Sequence, residues 1–398
     1  MGDRRRVLVV STGRDRGALA GVRALARAGW QVGVGTPDGS GMLAASNAVS
    51  ATHVVPKPRR DGSAFVAGVV EAVRAGRYDV VFGGGDDWMA ALAAYRDQVP
   101  VPVAHPPYPV VRTALDKVAL GQQAGLAGLA SPRTVPASCR ALVGWEGPVV
   151  VKCRAHWSPG QTRPHRLDAR LFPSAAAARG RVARITAAGG EPVLQQPVHG
   201  HLGALIGLFR DGRLHGRVQQ RTPRLWPTPN GMSARAETVP VDDVLATGAE
   251  ALLARIGWEG LVELQFLTDD DGVPHLIDLN GRFYGSLSLA EDARPGLVDA
   301  WARQVLGEPV PALPDGEPGR RYAWWAGDLR RARIERRGGL AADLVDTLRW
   351  GRGARHSVWD ARDVGPTWQL VRERLRGEGT AADVVPAAEA ELAPRAAA

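Results

Sequence analysis

The sequence predicts an α/β protein, and two kinds of pattern support that prediction. Residues 6–35 contain a short apolar strand, a helix-like run and a second strand, which is the β-α-β pattern of a parallel sheet. Further along, apolar and polar residues alternate on both sides of short turns within residues 202–220 and 260–280, and this alternation predicts two β-hairpins. We therefore expect a leading α/β domain followed by α+β structure.

The length and composition of the chain are those of a folded protein with more than one domain. A chain of 398 residues with 45% hydrophobic residues is long enough for two or three domains, each with its own core. No apolar run approaches the roughly 18 residues of a membrane-spanning helix, and residues 1–10 lack the apolar segment of a secretion signal. We therefore expect a cytoplasmic protein without a membrane partner. Cys139 and Cys153 are too few for a disulfide framework.

The chain is basic, with a formal net charge of +9 and a pI of about 10.3. Net charge favours association with anions but does not specify a partner. The arginines are spread along the chain, and no zinc-finger, RNA-recognition or basic-zipper pattern is present. A direct function on nucleic acid is therefore not favoured. The oligomeric state is left open, with a homodimer as one alternative.

Glycine-containing turns follow two predicted strands within residues 1–103. The glycines of the first turn recur every four residues and do not match the dinucleotide-binding pattern. The second turn is GGGDD at residues 83–87, which follows a strand at residues 78–82. Because open α/β sheets bind ligands at the carboxyl ends of their strands, this turn is a candidate for lining a ligand site. The alternative is a tight turn with an aspartate that caps the next helix.

The hairpin at residues 260–280 carries polar residues on a strand face where a packed sheet would be apolar. Its two strands flank an acidic turn, TDDDG at residues 268–272. If apolar residues pair with apolar residues across the strands, Leu264 lies opposite Ile277. Glu263 then faces Asp278, and the sequence predicts two carboxylates at cross-strand distance.

Two carboxylates at that distance repel each other unless a proton or a cation lies between them. Asn280 adds an amide oxygen on the same face, and a set of oxygen ligands favours a hard cation, Mg²⁺ with Mn²⁺ as the alternative. The predicted metal ligands are therefore Glu263, Asp278 and Asn280. Arg282 has the same parity and is a candidate for holding a phosphate or an acyl phosphate. The alternative interpretation is an ordinary solvated hairpin face.

The hairpin resembles the metal-binding end of the ATP-grasp superfamily, in particular the carboxylate–amine ligases that are similar to carbamoyl-phosphate synthase. The last motif of that family consists of an acid, a hairpin, the pattern acid-x-Asn-x-Arg and small residues. The matching residues here are Glu263, Asp278, Asn280, Arg282 and Gly285-Ser286. The family usually has Glu at the second acid and Pro before the arginine, whereas this chain has Asp278 and Gly281.

Three earlier segments also resemble this family. Asp116-Lys117 resembles its entry motif, Lys152 at the end of GPVVVKC resembles its phosphate-facing lysine, and PVLQQPVHG at residues 192–200 resembles the hinge that holds adenine. The resemblance implies ATP as cofactor, with binding roles for Lys117, Lys152, Gln195, Gln196, Pro197, Val198, His201, Glu263 and Asn280. It implies catalytic roles for Arg282, Lys152 and Arg221.

The loop after Lys152 departs from the family pattern. Relatives usually have a mobile loop rich in Gly and Ser, whereas RAHWSPGQTRPH at residues 154–165 has one Gly and two Pro. Glycines let backbone amides approach phosphates closely, so side chains would have to replace them here. The candidates for this replacement are Arg154, His156, Ser158 and Arg163.

The resemblance implies a Rossmann-like domain over residues 1–103 and an ATP-grasp domain over residues 104–307. The ATP-grasp part would consist of two α+β subdomains, at about 113–196 and 197–307, with the nucleotide between them. Residues 308–376 form an extension rich in Trp and Arg, and residues 377–398 have the composition of a disordered tail. The indoles of the extension either stack on bases or pack the core of a small helical appendage, and the second alternative is favoured.

The function that the resemblance implies is ligation. ATP would phosphorylate the carboxylate of one small molecule, and the amine of another would attack the acyl phosphate to give an amide or peptide bond, ADP and phosphate. Two alternatives are an ATP-binding protein without ligase activity, which the atypical loop after Lys152 favours, and an ATP-dependent phosphotransferase. The partners are expected to be ATP and small carboxylate and amine substrates.

Overall fold

The computed structural model describes residues 5–155, 157–160, 169–228 and 231–377. His156, Arg163 and residues 378–398, on which predictions are made above, lie outside the described residues. None of the described helices is long and apolar enough to cross a membrane. The strands are β1 (Arg6–Val10), β2 (Gln31–Thr36), β3 (Val49–Val54), β4 (Val80–Gly83), β5 (Thr134–Pro136), β6 (Val149–Cys153), β7 (Arg170–Phe172), β8 (Pro192–Gln195), β9 (His201–Arg210), β10 (Arg213–Trp226), β11 (Met232–Val239), β12 (Gly260–Thr268), β13 (Pro274–Asn280), β14 (Arg321–Ala323) and β15 (Arg355–His356). The helices are α1 (Arg16–Arg27), α2 (Gly62–Gly76), α3 (Asp86–Ala94), α4 (Tyr108–Leu115), α5 (Lys117–Leu126), α6 (Cys139–Val143), α7 (Ala175–Ala187), α8 (Asp243–Ile256), α9 (Leu287–Ala293), α10 (Leu297–Val305), α11 (Trp325–Glu335), α12 (Leu340–Gly351) and α13 (Gly365–Leu375).

The leading part of the chain is a parallel four-stranded sheet with the order β3-β2-β1-β4, as the β-α-β pattern predicts. β1 is central, and its residue Val7 pairs with Val32 on one side and with Val80 on the other. The residues of β1 after Arg6 are fully buried, because helices pack on both faces of the sheet. The parallel arrangement places the carboxyl ends of β1 and β4 side by side.

A small antiparallel sheet, with the order β5-β8-β6-β7, follows. One face of β6 carries Val149, Val151 and Cys153, which pack with α7 in a separate core. The alternation of side chains along a strand turns Lys152 to the other face. The small sheet therefore has one apolar face and one face that presents a lysine.

A seven-stranded sheet forms the rest of the core, with the order β13-β12-β9-β10-β11-β14-β15. The predicted hairpins are present as β9–β10 and β12–β13, with the acidic turn between the latter two strands. One face packs against α4, α5 and α8, and the other packs against α1, α9 and α10. The mixed α/β fold class expected from the sequence is therefore confirmed.

The predicted register of the β12–β13 hairpin is wrong. Leu264 pairs with Leu279, and Glu263 faces Asn280 instead of Asp278. The register shifts between Gln265 and Phe266, which leaves Ile277 as an extra, unpaired residue, so the strict alternation assumed for this strand does not hold. The observed register differs from the predicted one by two residues at this point, so Glu263, Asp278 and Asn280 still point to the same face of the hairpin.

The extension after residue 307 continues the large sheet instead of forming a separate appendage. β14 pairs with β11 in antiparallel fashion, and β15 pairs with β14 in parallel. The prediction that its indoles pack a core holds only for Trp324, which is half-buried against a small cluster around Tyr322, and it is wrong for the exposed ones. The exposed fractions are 37% for Trp325, 42% for Trp359 and 61% for Trp368, while Trp324 and Trp350 are half-buried and lie against arginines.

Candidate functional site

Five of the predicted site residues converge between the small sheet and the large sheet. Lys117 begins α5, Lys152 lies near the end of β6, and Glu263, Asp278 and Asn280 lie on one face of the β12–β13 hairpin. We refer to these five residues as the acid–lysine cluster. Local sequence explains the position of Lys117, because Asp116 caps α5 by accepting hydrogen bonds from two backbone amides of its first turn.

Glu263 is the most buried acid of the acid–lysine cluster, with 2% of its surface exposed. Its carboxylate accepts hydrogen bonds from Asn280 Nδ2 at 2.7 Å, Gln265 Nε2 at 3.0 Å and Ser286 Oγ at 3.2 Å. Burial raises the pKa of Glu263 to about 6, although these donors and the nearby Arg282 oppose the rise. A buried carboxylate whose direct donors are all neutral groups is suited to receive a cation.

Asp278 forms an ion pair with the ammonium of Lys117, a residue that is 7% exposed. Burial alone would raise the pKa of Asp278, but the charge of Lys117 and its hydrogen bond outweigh burial and lower it. Asp278 therefore stays ionised beside Glu263. The two carboxylates point to the same face of the hairpin without being directly opposite, which reduces their mutual repulsion.

Lys152 is half-buried and faces the Lys117–Asp278 pair from the small sheet. Burial and repulsion by Lys117 lower the pKa of Lys152 to about 7, and the attraction of Asp278 only partly opposes this shift. Among the described residues, no hydrogen bond or ion pair of its ammonium is found. Both lysines thus lie near Asp278, but only Lys117 is paired with it. Lys152 is left for a further anionic group.

Arg282 links the large sheet to the leading domain. Its Nε donates a hydrogen bond of 2.8 Å to Asp86, the first residue of α3 in the glycine-rich turn. This ion pair raises the pKa of Arg282 despite its burial. The alternative of an aspartate that caps α3 does not hold, because the N-cap residue is Gly85, and Asp86 instead connects the turn to Arg282.

His105 bridges the same two parts of the chain and was not predicted as a site residue. The amide of Gly83 donates a hydrogen bond of 2.7 Å to Nε2, and Nδ1 lies 3.1 Å from the carbonyl oxygen of Gly281, to which it donates. Burial lowers the pKa of His105 to about 3, so the ring is neutral. The only signal in the sequence is a histidine that begins the HPPYP segment.

Two further polar residues lie near Glu263: Gln220, which was not predicted there, and Ser286, which was named only as a small residue of the motif. Ser286 connects Glu263 to Gln220, whose Nε2 donates a hydrogen bond of 3.0 Å to Ser286 Oγ. Gln220 is 3% exposed and lies on β10, in the same sheet row as Gln265. The sequence gives little indication of the position of Gln220, because a glutamine that alternates with apolar residues in a strand usually points to solvent.

The predicted hinge, residues 192–200, consists of β8 in the small sheet and of residues 196–200, which join β8 to β9 of the large sheet. The buried side chain of Gln195 donates a hydrogen bond of 2.8 Å to Thr134 Oγ1, and the amide of Gln196 donates to the carbonyl oxygen of Arg133. Among the described residues, the amide of Val198 has no hydrogen-bond partner. The half-buried Pro197 precedes it, and His201 is exposed at the start of β9.

The structure does not bring Arg221 to the acid–lysine cluster. Gln220, on the same strand, belongs to the sheet row of Asp278, so alternation turns Arg221 to the opposite face. Arg221 is 69% exposed and forms an ion pair with Glu237. Arg221, for which the resemblance implies a catalytic role, therefore lies on the face of the sheet that points away from the acid–lysine cluster.

The loop after Lys152 is described only in part. Arg154, a candidate for contacting phosphate, instead bonds Asp116 at 2.8 Å and Glu191 at 3.2 Å. Ser158 is exposed. Arg154 thereby fixes the loop to the residue that caps α5, which couples the positions of Lys152 and Lys117.

The donors of the acid–lysine cluster fit a hard divalent cation. Asn280 uses its Nδ2 to donate to Glu263, which leaves its amide oxygen as a ligand atom beside the two carboxylates. No group of three or more His, Cys, Asp or Glu side chains with metal-binding geometry is found in the described part of the chain. A site of two carboxylates and an amide, completed by phosphate oxygens, does not require such a group.

Gly281 explains one departure from the expected motif. A Cβ at this position would lie 2.0 Å from two ring atoms of Trp258, which is itself fully buried. Neither alanine nor proline fits there without displacing the indole. The indole of Trp258 therefore occupies the space that a side chain at residue 281 would need, which accounts for the glycine before Arg282.

Comparison with known proteins finds similarity in structure only. No protein-family model matches the chain, and no curated protein matches its sequence. An L-amino acid ligase from Bacillus licheniformis has a TM-score of 0.61 and 15% identity, over 76% of this chain and 75% of that one. N5-carboxyaminoimidazole synthetase from Staphylococcus aureus has a TM-score of 0.59 and 12% identity, over 80% of each chain. The biotin carboxylase domain of Hydrogenobacter thermophilus 2-oxoglutarate carboxylase, in complex with MgADP and bicarbonate, has a TM-score of 0.62 and 12% identity, over 79% of this chain and 73% of that one.

Proposed function

We propose that this chain, which has the ATP-grasp fold that its motifs predict, is an ATP- and Mg²⁺-dependent ligase that joins a carboxylate to an amine. A carboxylate oxygen of one substrate attacks the γ-phosphorus of ATP, which forms an acyl phosphate and releases ADP. The amine of the second substrate attacks the acyl carbon, and phosphate leaves as the amide bond forms and the amine loses a proton. The similarity in fold to an L-amino acid ligase supports this class of reaction.

The single observation that carries the proposal is the convergence of Lys117 and Lys152 on Asp278. The two ammonium groups come from different elements, and only Lys117 is paired with the carboxylate. Lysine ammonium groups are flexible point charges suited to phosphate oxygens. A lysine without an ionic partner, between two sheets and beside an acidic metal site, is suited to bind the phosphates of a nucleotide together with their Mg²⁺.

Each residue of the site has a role that follows from its position. Lys117 and Lys152 would hold phosphate oxygens, and Arg282 would stabilise the negative charge that moves from ATP to the acyl phosphate and then to phosphate. Glu263, Asp278 and Asn280 would hold Mg²⁺, which neutralises charge on the phosphate oxygens when bound. No side chain of the enzyme has to act as a covalent nucleophile.

The adenine would lie against the hinge at residues 196–200. The free amide of Val198 would donate to a ring nitrogen, while Gln195 is fixed by its bond to Thr134 and holds the end of β8 in place. His201, exposed next to the hinge, would contact the ribose. The side chain of Gln196 is not required in this arrangement, because backbone groups make the contacts with the base.

The test is a screen for substrate-dependent ADP release. Pairs of amino acids and small carboxylates are incubated with ATP and Mg²⁺, ADP is measured by a coupled assay, and products are identified by mass spectrometry. For a carboxylate that gives a signal, the amine is replaced by hydroxylamine, which converts an acyl phosphate into a hydroxamate. Lys152→Met is the inactive variant, and Arg213→Gln, an exposed arginine in the β9–β10 hairpin, is the control for charge.

The screen also separates the alternatives. A ligase gives an amide product and one ADP for each amide bond, and hydroxamate formation depends on the carboxylate. A phosphotransferase gives a stable phosphorylated product without consuming amine. A protein that binds ATP without turnover gives no ADP above the level of Lys152→Met with any pair, and that result would overturn the proposed function.

A further inference from the structure

Arg16 lies beside the segment that follows Arg282. It is the first residue of α1, and the start of this helix packs directly on that segment. A Cβ on Gly17 would lie 2.3 Å from the carbonyl oxygen of Tyr284, so the two backbones touch. A Cβ on Gly285 would in turn lie 3.5 Å from a terminal nitrogen of the Arg16 guanidinium. The arginine side chain therefore lies against Gly285, which is next to Ser286, the residue that donates a hydrogen bond to Glu263.

The C-terminal extension holds the guanidinium of Arg16 in place. The guanidinium lies over the indole of Trp324, 3.7 Å from the ring centroid, and donates a hydrogen bond of 3.2 Å to the hydroxyl of Tyr322. The hydroxyl of Tyr322 donates in turn to the carbonyl oxygen of Gly285 at 3.0 Å. A weaker contact of 3.6 Å joins Arg16 to the sulfur of Met232, a residue that is 55% exposed. Three side chains thus contact the guanidinium of Arg16, and one of them, Tyr322, is itself held by Gly285.

None of these groups neutralises the charge of Arg16. Its neighbours near the site have acidic partners, because Arg282 is paired with Asp86 and Arg59 is paired with Asp87. No carboxylate forms an ion pair with Arg16 in the described part of the chain. A guanidinium has five N–H donors, and two of its nitrogens contact Tyr322 and Met232, so donors remain for a further acceptor. Such an arginine is preorganised for a planar anionic oxygen group.

We propose that Arg16 binds a carboxylate or phosphate group of a substrate, and that this group is separate from the atoms that form the new bond. This inference rests on the proposed function, and it names a substrate class. Besides the carboxylate that is activated, one of the two substrates carries a further anionic oxygen group, as a free amino acid does when it reacts through its amine. Arg16 is the binding residue. Trp324 and Tyr322 are positioning residues, which gives the C-terminal extension a role in substrate recognition.

The test measures binding separately from turnover. The melting temperatures of the wild-type protein, Arg16→Gln and the charge control Arg213→Gln are compared in the presence of MgADP. The panel contains free amino acids, the corresponding amino acid amides, O-phosphoserine, phosphoethanolamine and inorganic phosphate. The amides separate recognition of a carboxylate from recognition of an amine, and the phosphorylated compounds separate a phosphate from a carboxylate. Calorimetry then gives the affinity of each compound that stabilises the wild type.

The expected result is at least one anionic compound that stabilises the wild type and Arg213→Gln. Its affinity should fall about tenfold or more in Arg16→Gln, because a charge-assisted hydrogen bond is lost. The neutral amide should bind all three proteins equally weakly. Trp324→Leu should weaken the same compound and Trp324→Phe should restore it, because an aromatic face, and not bulk alone, holds the guanidinium.

Two outcomes would overturn the inference. One is a panel in which no compound binds in an Arg16-dependent manner, and the other is Arg16-dependent binding of a neutral amide that is as tight as that of any anionic compound in the panel. Failure of the inference and failure of the proposed function are distinguishable. Equal ADP release by the wild type and Arg16→Gln leaves the ligase in place and removes the role of Arg16. Arg16-dependent binding without ADP release in any substrate pair retains the anion site and removes the ligase.

Discussion

Arg282 and Asp86 form an ion pair at 2.8 Å across 196 residues of sequence. Arg282 follows the last strand of the β12–β13 hairpin, and Asp86 begins the helix after the glycine-rich turn of the leading sheet. Their exposed side-chain fractions are 18% and 11%. The pair therefore joins the leading domain to the proposed phosphate site, and it holds the arginine beside Glu263 before any substrate is present.

Asp86→Asn should slow ADP formation strongly and should lower the free energy of unfolding only moderately. Loss of one partner leaves the largely buried Arg282 without its carboxylate, so the free energy of unfolding should fall by about 1–3 kcal/mol. The rate of ADP formation should fall by about tenfold or more, because the guanidinium is no longer oriented. Asp87→Asn is the matched control, since it breaks the neighbouring pair with Arg59. If both variants lose the same activity at equal stability, Asp86 does not act through Arg282.

Glu263→Gln and Asp278→Asn should differ in stability although both abolish Mg²⁺-dependent turnover. Each substitution removes a carboxylate from the proposed metal site and should lower turnover by about a hundredfold or more. Glu263 has a raised pKa, so an uncharged glutamine should leave the stability of the metal-free protein unchanged or higher. Asp278→Asn removes the partner of buried Lys117 and should cost about 1–3 kcal/mol.

Urea unfolding without metal, and ADP formation over a range of Mg²⁺ concentrations, check this pair of variants. Full activity of Asp278→Asn at ordinary Mg²⁺ concentrations would contradict the metal site. A large loss of stability in Glu263→Gln would indicate that the acid has a structural role that its hydrogen bonds to Asn280, Gln265 and Ser286 maintain.

The neutral ring of His105 predicts a specific dependence of stability on pH. Its pKa is about 3 in the folded chain and about 6.5 in the unfolded chain, so below pH 6.5 the unfolded chain binds a proton that the folded chain does not. This group therefore lowers the free energy of unfolding as pH falls, by at most about 1.4 kcal/mol per pH unit. Glu263 acts in the opposite direction between about pH 6 and pH 4.5, because its folded pKa is raised.

A comparison with His105→Gln isolates the histidine, because all other groups are shared. The stability of the wild type minus that of the variant should decrease by about 2 kcal/mol between pH 7 and pH 5. Urea unfolding at several pH values measures this difference. A difference that is constant over that range would mean that the ring takes up a proton with the same pKa in the folded and the unfolded chain.

The fold and most of the acid–lysine cluster were predictable from sequence because they depend on local patterns. The strand and helix of the leading domain, the hairpin at β12 and β13, and the lysines at 117 and 152 all follow from periodicity, turn residues and recognisable motifs. The register of that hairpin was not predictable, because the extra residue Ile277 looks like an ordinary inward apolar residue.

The contacts between distant parts of the chain were also beyond the sequence. The pair of Arg282 with Asp86 and the bridge through His105 arise only when the leading sheet packs against residues 281–285. The joining of β14 to β11 depends on a short strand whose three residues carry no pattern of their own. The indoles of the extension were expected to be buried, but Trp324 and Trp350 are only half-buried, and arginines lie against their rings.

The measurement that tests the central claim most directly is calorimetry of nucleotide binding to Lys152→Met in the presence of Mg²⁺. Methionine keeps most of the apolar stem of the lysine, so packing around β6 should hardly change. A charge-assisted contact with phosphate contributes about 1.5–3 kcal/mol, so ATP should bind about tenfold or more weakly, while adenosine should bind as it does to the wild type. Equal affinity for ATP in the variant and the wild type would contradict the assignment of Lys152 to the phosphate site, and with it the ligase mechanism built on that residue.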